Sequence, residues 1–190
     1  LIGITAIFAL VSFGLGIQDY VNTLAAQSGT DKLFVQSKGI GAPGTDSSFL
    51  ISKEDVNFIS KINGVKEIAP LYTKAGQLDF REKKYYNFVM GADMDQINFV
   101  EETMSLKIEN GRVLKSGETE KVVLGHNYQV ANKIFAKPVK IGDSVTINSK
   151  TFTVVGFYSE VGNPQDNGNM YMTKEGFESV LPAQKDKYGF

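Results

Sequence analysis

The chain has 190 residues, a formal net charge of −1 and a hydrophobic share of 42%, which suits a globular protein of one ordinary domain or two small lobes. This balanced charge gives no overall field that would attract nucleic acid, so we expect no nucleic-acid partner. The chain contains no cysteine, which excludes thiolate catalysis, cysteine zinc sites and disulfides.

The first predicted element is an apolar helix over residues 1–17, which carry no charged side chain. At about 1.5 Å per residue this helix spans roughly 25 Å, a little less than the ~30 Å hydrocarbon core of a bilayer. A signal peptide would end in a small-residue cleavage site, whereas Gln18, Asp19 and Tyr20 follow here. We therefore expect the outer end of a transmembrane helix that continues as a soluble stalk to residue 28. A glycine-containing helix buried in the core is the alternative.

Residues 29–93 are expected to form one β-α-β-β unit. Ser52 precedes acidic residues and is typical of a helix N-cap, and the glycine-rich segment 39–48 is typical of a loop. The predicted elements are a strand over 32–36, a helix from Ser52 to Gly64, an extended segment over 65–80, a charged turn over 81–84 and a hairpin strand over 85–91.

The pattern changes after Asp93. We predict a short helix and a tight Asn110-Gly111 turn within 99–114, a strand over 121–125 and a helix over 126–135. A hairpin over 143–158 with its turn at Asn148-Ser149, a loop over 160–169, a strand over 169–173 and a helix over 174–181 follow.

The glycine after the 121–125 strand raises the question of a nucleotide site. A dinucleotide-binding turn needs Gly-x-Gly-x-x-Gly, and a mononucleotide loop needs Gly-Lys-Ser/Thr. Only Gly125 is present, and the bulky side chains of residues 126–128 follow it. We interpret Gly125 as a residue that permits a strand-to-helix turn, and we predict no cofactor-binding residue.

Other candidate chemistry is equally weak. His126 is the single histidine, and the sequence contains no Gly-x-Ser-x-Gly motif whose serine it could activate. We therefore interpret His126 as a surface residue near a helix start. The segment 166–169 contains Asp and Asn but lacks the ligand spacing of a calcium loop. The Glu101-Glu102 pair is typical of a solvated helix face. Cross-strand packing explains the aromatic residues Tyr72, Phe80, Tyr85, Tyr86 and Phe88 better than a binding surface. We therefore predict no catalytic, cofactor-binding or metal site.

A series of short motifs in fixed order carries a resemblance. The motifs are SGTDKLFVQ, NGVKEIAP, VMGADMD, ENGRVL, KVVLGHNYQVANKIF, KIGDSVTINSKTFTVVGFYSEVG and NMYMTKEGFESVL. Together they resemble the extracytoplasmic core domain of MacB-like ABC transporter permeases, which are related to FtsX and to lipoprotein-exporting permeases. The matching positions are Gly64-Val65, Pro70, Gly91, Asp93, Gly111-Arg112, Leu124-Gly125, Val130-Ala131, Phe135, Ile141-Gly142 and Val154-Val155-Gly156.

The resemblance implies an α+β fold with two lobes: a porter-like β-α-β-β lobe and a smaller inserted α/β lobe, both following the outer end of a transmembrane helix. On this basis residues 1–28 form the helix end and stalk, 29–93 plus 158–190 the porter-like lobe, and 94–157 the inserted lobe. The family usually continues with a further β-α-β stretch and a second transmembrane helix. We therefore expect the porter-like lobe to be incomplete here, with a strand edge that could pair with a second copy.

The resemblance also implies a non-enzymatic role in the cell membrane, with this domain on the extracytoplasmic side. The expected partners are a cytoplasmic ATP-binding subunit, a second copy in a homodimer, and a periplasmic adaptor or cargo such as a peptide, an antibiotic or a lipoprotein. The alternative is an anchored or secreted binding module that captures an envelope peptide or glycan through the loops at 39–48 and 160–169.

Overall fold

The computed structural model describes residues 2–28, 32–38 and 50–190. The helices are α1 (Ile2–Ser28), α2 (Lys53–Ile59), α3 (Ile97–Thr103) and α4 (Lys174–Val180). The strands are β1 (Ile51–Ser52), β2 (Tyr72–Phe80), β3 (Lys83–Ala92), β4 (Ile108–Gly111), β5 (Lys121–Leu124), β6 (Ser144–Ile147), β7 (Lys150–Tyr158), β8 (Met170–Thr173) and β9 (Lys187–Tyr188). The predicted loop at 39–48 lies outside the described residues.

The strands β2, β3, β5, β6, β7 and β8 close into a ring. Their pairing order is β7-β5-β8-β3-β2-β6, and β6 then pairs with the first half of β7. The β5–β7 and β3–β8 pairs are parallel, while the other pairs of the ring are antiparallel. Strand β4 pairs with the second half of β7 and stands outside the ring. Closing the sheet removes most of its free edges, which limits unwanted strand pairing.

The two faces of this sheet build two separate hydrophobic clusters. Val122, Leu124, Met170 and Met172 point into the inner cluster, while the residues between them, such as Val123, point into the outer one. This is the period of two that strand geometry dictates. In β7 the alternation slips, because a bulge opposite Val122 and Val123 adds one residue to the strand.

The predicted division into lobes at residues 93/94 and 157/158 is a statement about sequence segments. Strands from both sides of each boundary pair within the same ring, since β2, β3 and β8 come from one segment and β5 and β6 from the other. The division stays a prediction.

Several local predictions are confirmed. Ser52 caps α2 with a complete capping box, in which its hydroxyl accepts from the Asp55 amide and the Asp55 carboxylate accepts from the Ser52 amide. Asn148 and Ser149 form the turn between β6 and β7 with φ of 44° and 72°, as a tight hairpin turn requires. Strand β8 and helix α4 lie where the sequence places them.

The predicted helix over 126–135 is wrong beyond its first turn. A 3-10 helix spans only His126–Gln129, and Asn132 then adopts a left-handed φ of 61°. The carbonyl of Tyr128 accepts a hydrogen bond from the Val139 amide, 2.9 Å away, instead of one from its own helix. The rings of Tyr128 and Phe135 meet at 6.2 Å, so packing of the two rings, rather than helix propensity, sets the path of the chain.

Two further predictions are corrected. Asn110 and Gly111 form part of β4 rather than a free turn, and Gly111 has a φ of 83° where a side chain would collide with the Val155 carbonyl. Residues 32–36 form no strand, because within the described residues this segment makes side-chain contacts and no ladder pairing. Its Leu33 side chain is 92% exposed.

Candidate functional site at the helix–domain junction

Helix α1 is apolar on all sides over residues 2–17, and residues 2–22 are not covered by the rest of the described chain. Its segment Ile2–Asn22 has a mean hydropathy of 1.6 and is 0% buried, which by length and composition allows it to cross a membrane. Asp19 is its one charged residue. The alternative of a helix buried in the core is therefore wrong for this structure. A helix that is hydrophobic all round needs an apolar environment, and the described residues provide none for this one.

Lys32 and Phe34 connect the segment after α1 to the folded domain. The ammonium of Lys32 donates to the carboxylate of Glu102 on α3 over 2.8 Å, and the Lys32 side chain is only 11% exposed. The ring of Phe34 meets that of Phe190 edge to face, with 6.1 Å between the centroids. These four side chains define the junction.

Both contact points of the junction lead directly into the outer hydrophobic cluster. The Phe190 carbonyl accepts from the amide of Leu71 at 3.1 Å, and Leu71 immediately precedes β2. Phe190 itself packs against the outer cluster, together with Ile97 of α3. The segment carrying Lys32 and Phe34 therefore contacts α3 and, through Phe190, the residue that precedes β2.

Helix α3 is fixed to the sheet by a half-buried carboxylate. The Tyr158 hydroxyl donates to Glu101 over 2.9 Å. Burial raises the pKa of Glu101 above its usual range, although the hydrogen bond from Tyr158 opposes that rise. Burial, together with the negative Glu101, also raises the pKa of the Tyr158 phenol. Adjacent residues of α3 thus hold the sheet on one side, through Glu101, and the segment after α1 on the other, through Glu102.

A cavity of about 20 Å³ lies beneath α3. Methionine side chains from α3's surroundings and from the sheet contribute to its lining, namely Met90, Met94, Met104 and Met172. This volume is close to the minimum for one water molecule, and the apolar walls offer a water few partners. The cavity is too small for a substrate. Unbranched methionine side chains can, however, adapt their packing if α3 shifts.

Gly125 packs closely against the backbone of the loop at 166–169. A Cβ there would lie 2.6 Å from the Asn167 carbonyl carbon and 2.7 Å from the Asp166 carbonyl oxygen. The Gly125 amide donates to the Asn169 carbonyl over 2.9 Å, so it is already used within the protein. The glycine therefore lets the turn after β5 approach the loop at 166–169.

His126 lies in a small polar cluster at the edge of the domain. Its Nδ1 is 2.9 Å from a carboxylate oxygen of Glu109, and the Gln129 amide also donates to that carboxylate. Gln129 in turn accepts from Asn110 at 2.7 Å. The cluster ties the turn after β5 to β4, and within the described residues no group of three or more His, Cys, Asp or Glu side chains is placed to hold a metal ion.

The calcium-like segment uses its oxygen atoms internally. Both carboxylate oxygens of Asp166 accept side-chain amides, one from Asn163 and one from Asn169, each at 2.9 Å. The Asn167 side chain bonds to both backbone groups of Val161. Burial raises the pKa of Asp166. These bonds fasten the 160–169 loop onto itself.

The predicted aromatic group divides between core and surface. Tyr72 packs against Phe177 and Tyr188 with centroid distances of 4.9 and 4.7 Å, and Phe80 is buried. Tyr86 is 68% exposed, and its hydroxyl donates to Gln77 on the neighbouring strand. The residues of the junction were not singled out from the sequence. The signal that could have found them is Lys32, a cation between a membrane helix and an apolar triplet.

The described chain combines an apolar helix that could cross a membrane with a folded domain built on a closed mixed sheet. The chain belongs to the MacB-like periplasmic core domain family, whose profile matches residues 1–188. This family name describes the periplasmic domain of MacB-like permeases.

Particular relatives agree with this assignment. The chain is 27% identical, over all of its length and 46% of the relative's, to an uncharacterized ABC transporter permease of Methanocaldococcus jannaschii. It is 25% identical, over 87% of its length and 26% of the relative's, to the macrolide export ATP-binding/permease protein MacB of Bdellovibrio bacteriovorus. The chain thus spans less than half of these relatives.

Solved structures show the same fold. The periplasmic region of MacB from Actinobacillus actinomycetemcomitans superposes with a TM-score of 0.59 at 21% identity, covering 81% of this chain and 69% of that one. The extracellular domain of the noncanonic ABC-type transporter YknZ from Gram-positive bacteria gives 0.56 at 17% identity, covering 74% and 70%.

Proposed function

We propose that this domain passes movement of α1, driven by a cytoplasmic ATP-binding subunit, to an envelope substrate outside the membrane. The supporting observation is the junction, where the segment after the exposed apolar helix contacts α3 and Phe190. In the full permease the domain acts in a homodimer, and its substrate is a peptide, an antibiotic or a lipoprotein. The proposed role requires no catalytic residue.

The energies at the junction are modest. An ion pair with one exposed partner contributes at most about 1 kcal/mol, and an edge-to-face ring pair about 0.5–1.5 kcal/mol. The covalent chain therefore carries most of any load, while Lys32 and Phe34 fix the direction in which the load reaches α3. Loss of the contacts should weaken coupling without unfolding the domain.

The test uses the full-length permease with its ATP-binding subunit in lipid nanodiscs. Spin labels at Lys115 in both protomers of the proposed homodimer report the distance between the two domains with and without ATP. We expect Lys32→Glu to reduce the ATP-dependent distance change and the double variant Lys32→Glu/Glu102→Lys to restore it.

The matched control is Lys38→Glu, which makes the same charge change at an exposed lysine of the same segment. It should leave the distance change intact, and ATP hydrolysis should continue in all variants. A full distance change in Lys32→Glu, or its loss in Lys38→Glu, contradicts the proposal.

A further inference from the structure

The end of the ring at the β2–β3 turn is plugged by aromatic side chains. The Phe80 ring lies 5.5 Å from Phe135, Phe135 lies 6.2 Å from Tyr128, and Tyr128 lies 5.9 Å from Tyr85. Phe80, Tyr128 and Phe135 are all buried. This packing brings the loop around Phe135 and the β2–β3 turn into one rigid surface.

Four cationic side chains surround this plug. The Arg81 guanidinium lies 5.0 Å above the Phe80 ring, and Lys83 is the register partner of Phe80 on β3. Lys133 and Lys137 flank Phe135, two residues away on either side. All four are exposed, and in the part of the chain described here no ion pair joins them to an acidic side chain. We call these four residues the distal rim.

The distal rim lies at the opposite end of β2 from the junction. The junction reaches β2 at Leu71, next to Tyr72, whereas the rim begins after Phe80. The eight steps from Tyr72 to Phe80 span about 27 Å at ~3.4 Å per residue. That separation is roughly three Debye lengths at physiological ionic strength, so a membrane surface on the junction side exerts little pull on the rim.

The rim is a local concentration of positive charge on a chain whose net charge is −1. Only Glu82 brings a negative charge into the β2–β3 turn itself. Exposed lysines near aromatic rings on a rigid support favour attraction of an anionic surface and steer its approach. We propose that the distal rim docks a carboxylate-rich surface of a partner protein outside the membrane. This proposal depends on the proposed function for one point, namely that the rim lies outside the membrane.

The layout of the rim favours carboxylates of a protein over phosphate. The cations come from two separate segments and stand around the aromatic plug. Recognition of a single phosphate typically uses converging backbone amides or a bidentate arginine clamp. Arg81 lies over the Phe80 ring instead. A partner surface that spreads several acidic side chains over this spacing would match the four cations.

The first test measures binding of three probes to the full-length permease in nanodiscs of neutral lipid. The probes are a 20-residue poly-glutamate peptide, sodium polyphosphate and phosphatidylglycerol vesicles. We expect the peptide to bind and Lys133→Glu/Lys137→Glu to weaken that binding at least tenfold. Lys61→Glu/Lys66→Glu, the same charge change at exposed positions following α2, should change it less than twofold.

If the rim and control variants weaken peptide binding equally, the proposal is overturned, because binding would then depend only on the net charge of the protein. Selective loss of polyphosphate or vesicle binding, with no effect on the peptide, overturns it in favour of an anionic polymer or a lipid. Absence of peptide binding also overturns it. The rim variants should keep the ATP-dependent distance change between the Lys115 labels of the two protomers, so failure here is distinct from failure of the proposed coupling.

A second test places a photo-crosslinking amino acid at Ala136, which is exposed between the two loop lysines. In cells that produce the full permease, we expect a protein adduct whose crosslinked peptide is rich in Asp and Glu. The adduct should be lost in Lys133→Glu/Lys137→Glu and retained in Lys61→Glu/Lys66→Glu. A neutral or basic peptide, a lipid adduct or no adduct contradicts the proposal.

Discussion

At the scale of single residues, glycine positions carry much of the specificity of this fold. Gly125 lies against backbone atoms of the 166–169 loop, whereas a side chain at Gly168 would meet mainly the side chains of Asn87 and Tyr85. The sequence indicated that Gly125 turns the chain, and the structure shows the reason. The sequence could not show which loop approaches Gly125, because that contact joins segments about forty residues apart.

Gly125→Ala should lower the free energy of unfolding by about 2–3 kcal/mol, because backbone atoms cannot yield to a new Cβ as a side chain can. Gly168→Ala is the matched variant and should cost less than about 1 kcal/mol, because the Asn87 side chain can turn away. Urea denaturation of both variants measures the difference. Equal losses would show that the backbone contact is not the cause.

The turn residues Asn148 and Ser149 differ in what their side chains do. Asn148 accepts a hydrogen bond from the Gln77 amide at 2.9 Å, while Ser149 has a φ of 72° without a turn-specific bond in the described structure. Ser149→Gly should therefore raise stability by about 0.5–1 kcal/mol, since glycine adopts this φ without strain.

Asn148→Gly is the control for the turn, because it removes the bond to Gln77 along with the side chain. It should lower stability by about 0.5–1.5 kcal/mol, the net contribution of one hydrogen bond. Stabilisation by both substitutions would mean that the bond to Gln77 contributes nothing.

At the scale of elements, α3 connects the junction to the sheet through two consecutive glutamates. Glu102 faces Lys32, and Glu101 accepts from Tyr158. The sequence suggested only a solvated helix face for this pair. Helical periodicity cannot show that Tyr158, 57 positions away, lies over one carboxylate and not the other.

Glu101→Gln should stabilise the protein relative to the native chain, and this gain should be larger near neutral pH than in acid. Burial raises the pKa of Glu101 in the folded state, so its favourable contribution is present below about pH 4.5 and is lost as the pH rises through the raised value. Glutamine stays neutral and can still accept from Tyr158. The thermal midpoint of the variant minus that of the native chain should be larger at pH 7.5 than at pH 4.0.

Glu102→Gln is the control, because it makes the same change one residue further along α3 on an exposed side chain. It should not reproduce this pH profile. The same profile in both variants would show that Glu101 is not the group responsible.

The elements themselves were largely predictable, and the 126–135 segment shows why some were not. Capping residues and alternating patterns located α2, the β6–β7 hairpin and β8, because these signals are local. The 126–135 segment failed as a helix because Tyr128 and Phe135 pack into an aromatic cluster contributed by distant strands. The ring of strands could not be predicted from the sequence, because its pairings join residues that are far apart along the chain.

At the scale of the whole molecule, the structure divides into an exposed apolar helix and a domain with its own core. Residues 2–22 are all exposed in the structure, so their burial must come from outside the described chain. The resemblance stated from the sequence is confirmed by the family match, and the helix expected at the start is present. The substrate and the coupling mechanism remain proposals.

Leu10→Arg should prevent stable membrane insertion of α1, since an arginine near the centre of a transmembrane helix costs about 2.5–3.5 kcal/mol on insertion scales. Alkaline carbonate extraction of membranes from cells that produce residues 1–190 measures the effect. Most of the native chain should stay in the pellet and most of the variant in the supernatant.

Leu10→Ala is the control and should behave as the native chain. Retention of the Leu10→Arg chain in the pellet would show that α1 is not what anchors the protein.

The order of strands in the ring has a consequence for biogenesis. Strand β8 lies between β5 and β3, and the pairing of Val89 with Met170 spans most of the domain. Contacts this distant in sequence make folding slow. A ribosome synthesises α1 well before Met170, so the ring of strands has to assemble on a chain whose first helix is already available for insertion into the membrane. Until β6 and β8 are synthesised, the β2–β3 hairpin has two unpaired edges, so this is the stage at which the nascent domain is most open to unwanted strand pairing.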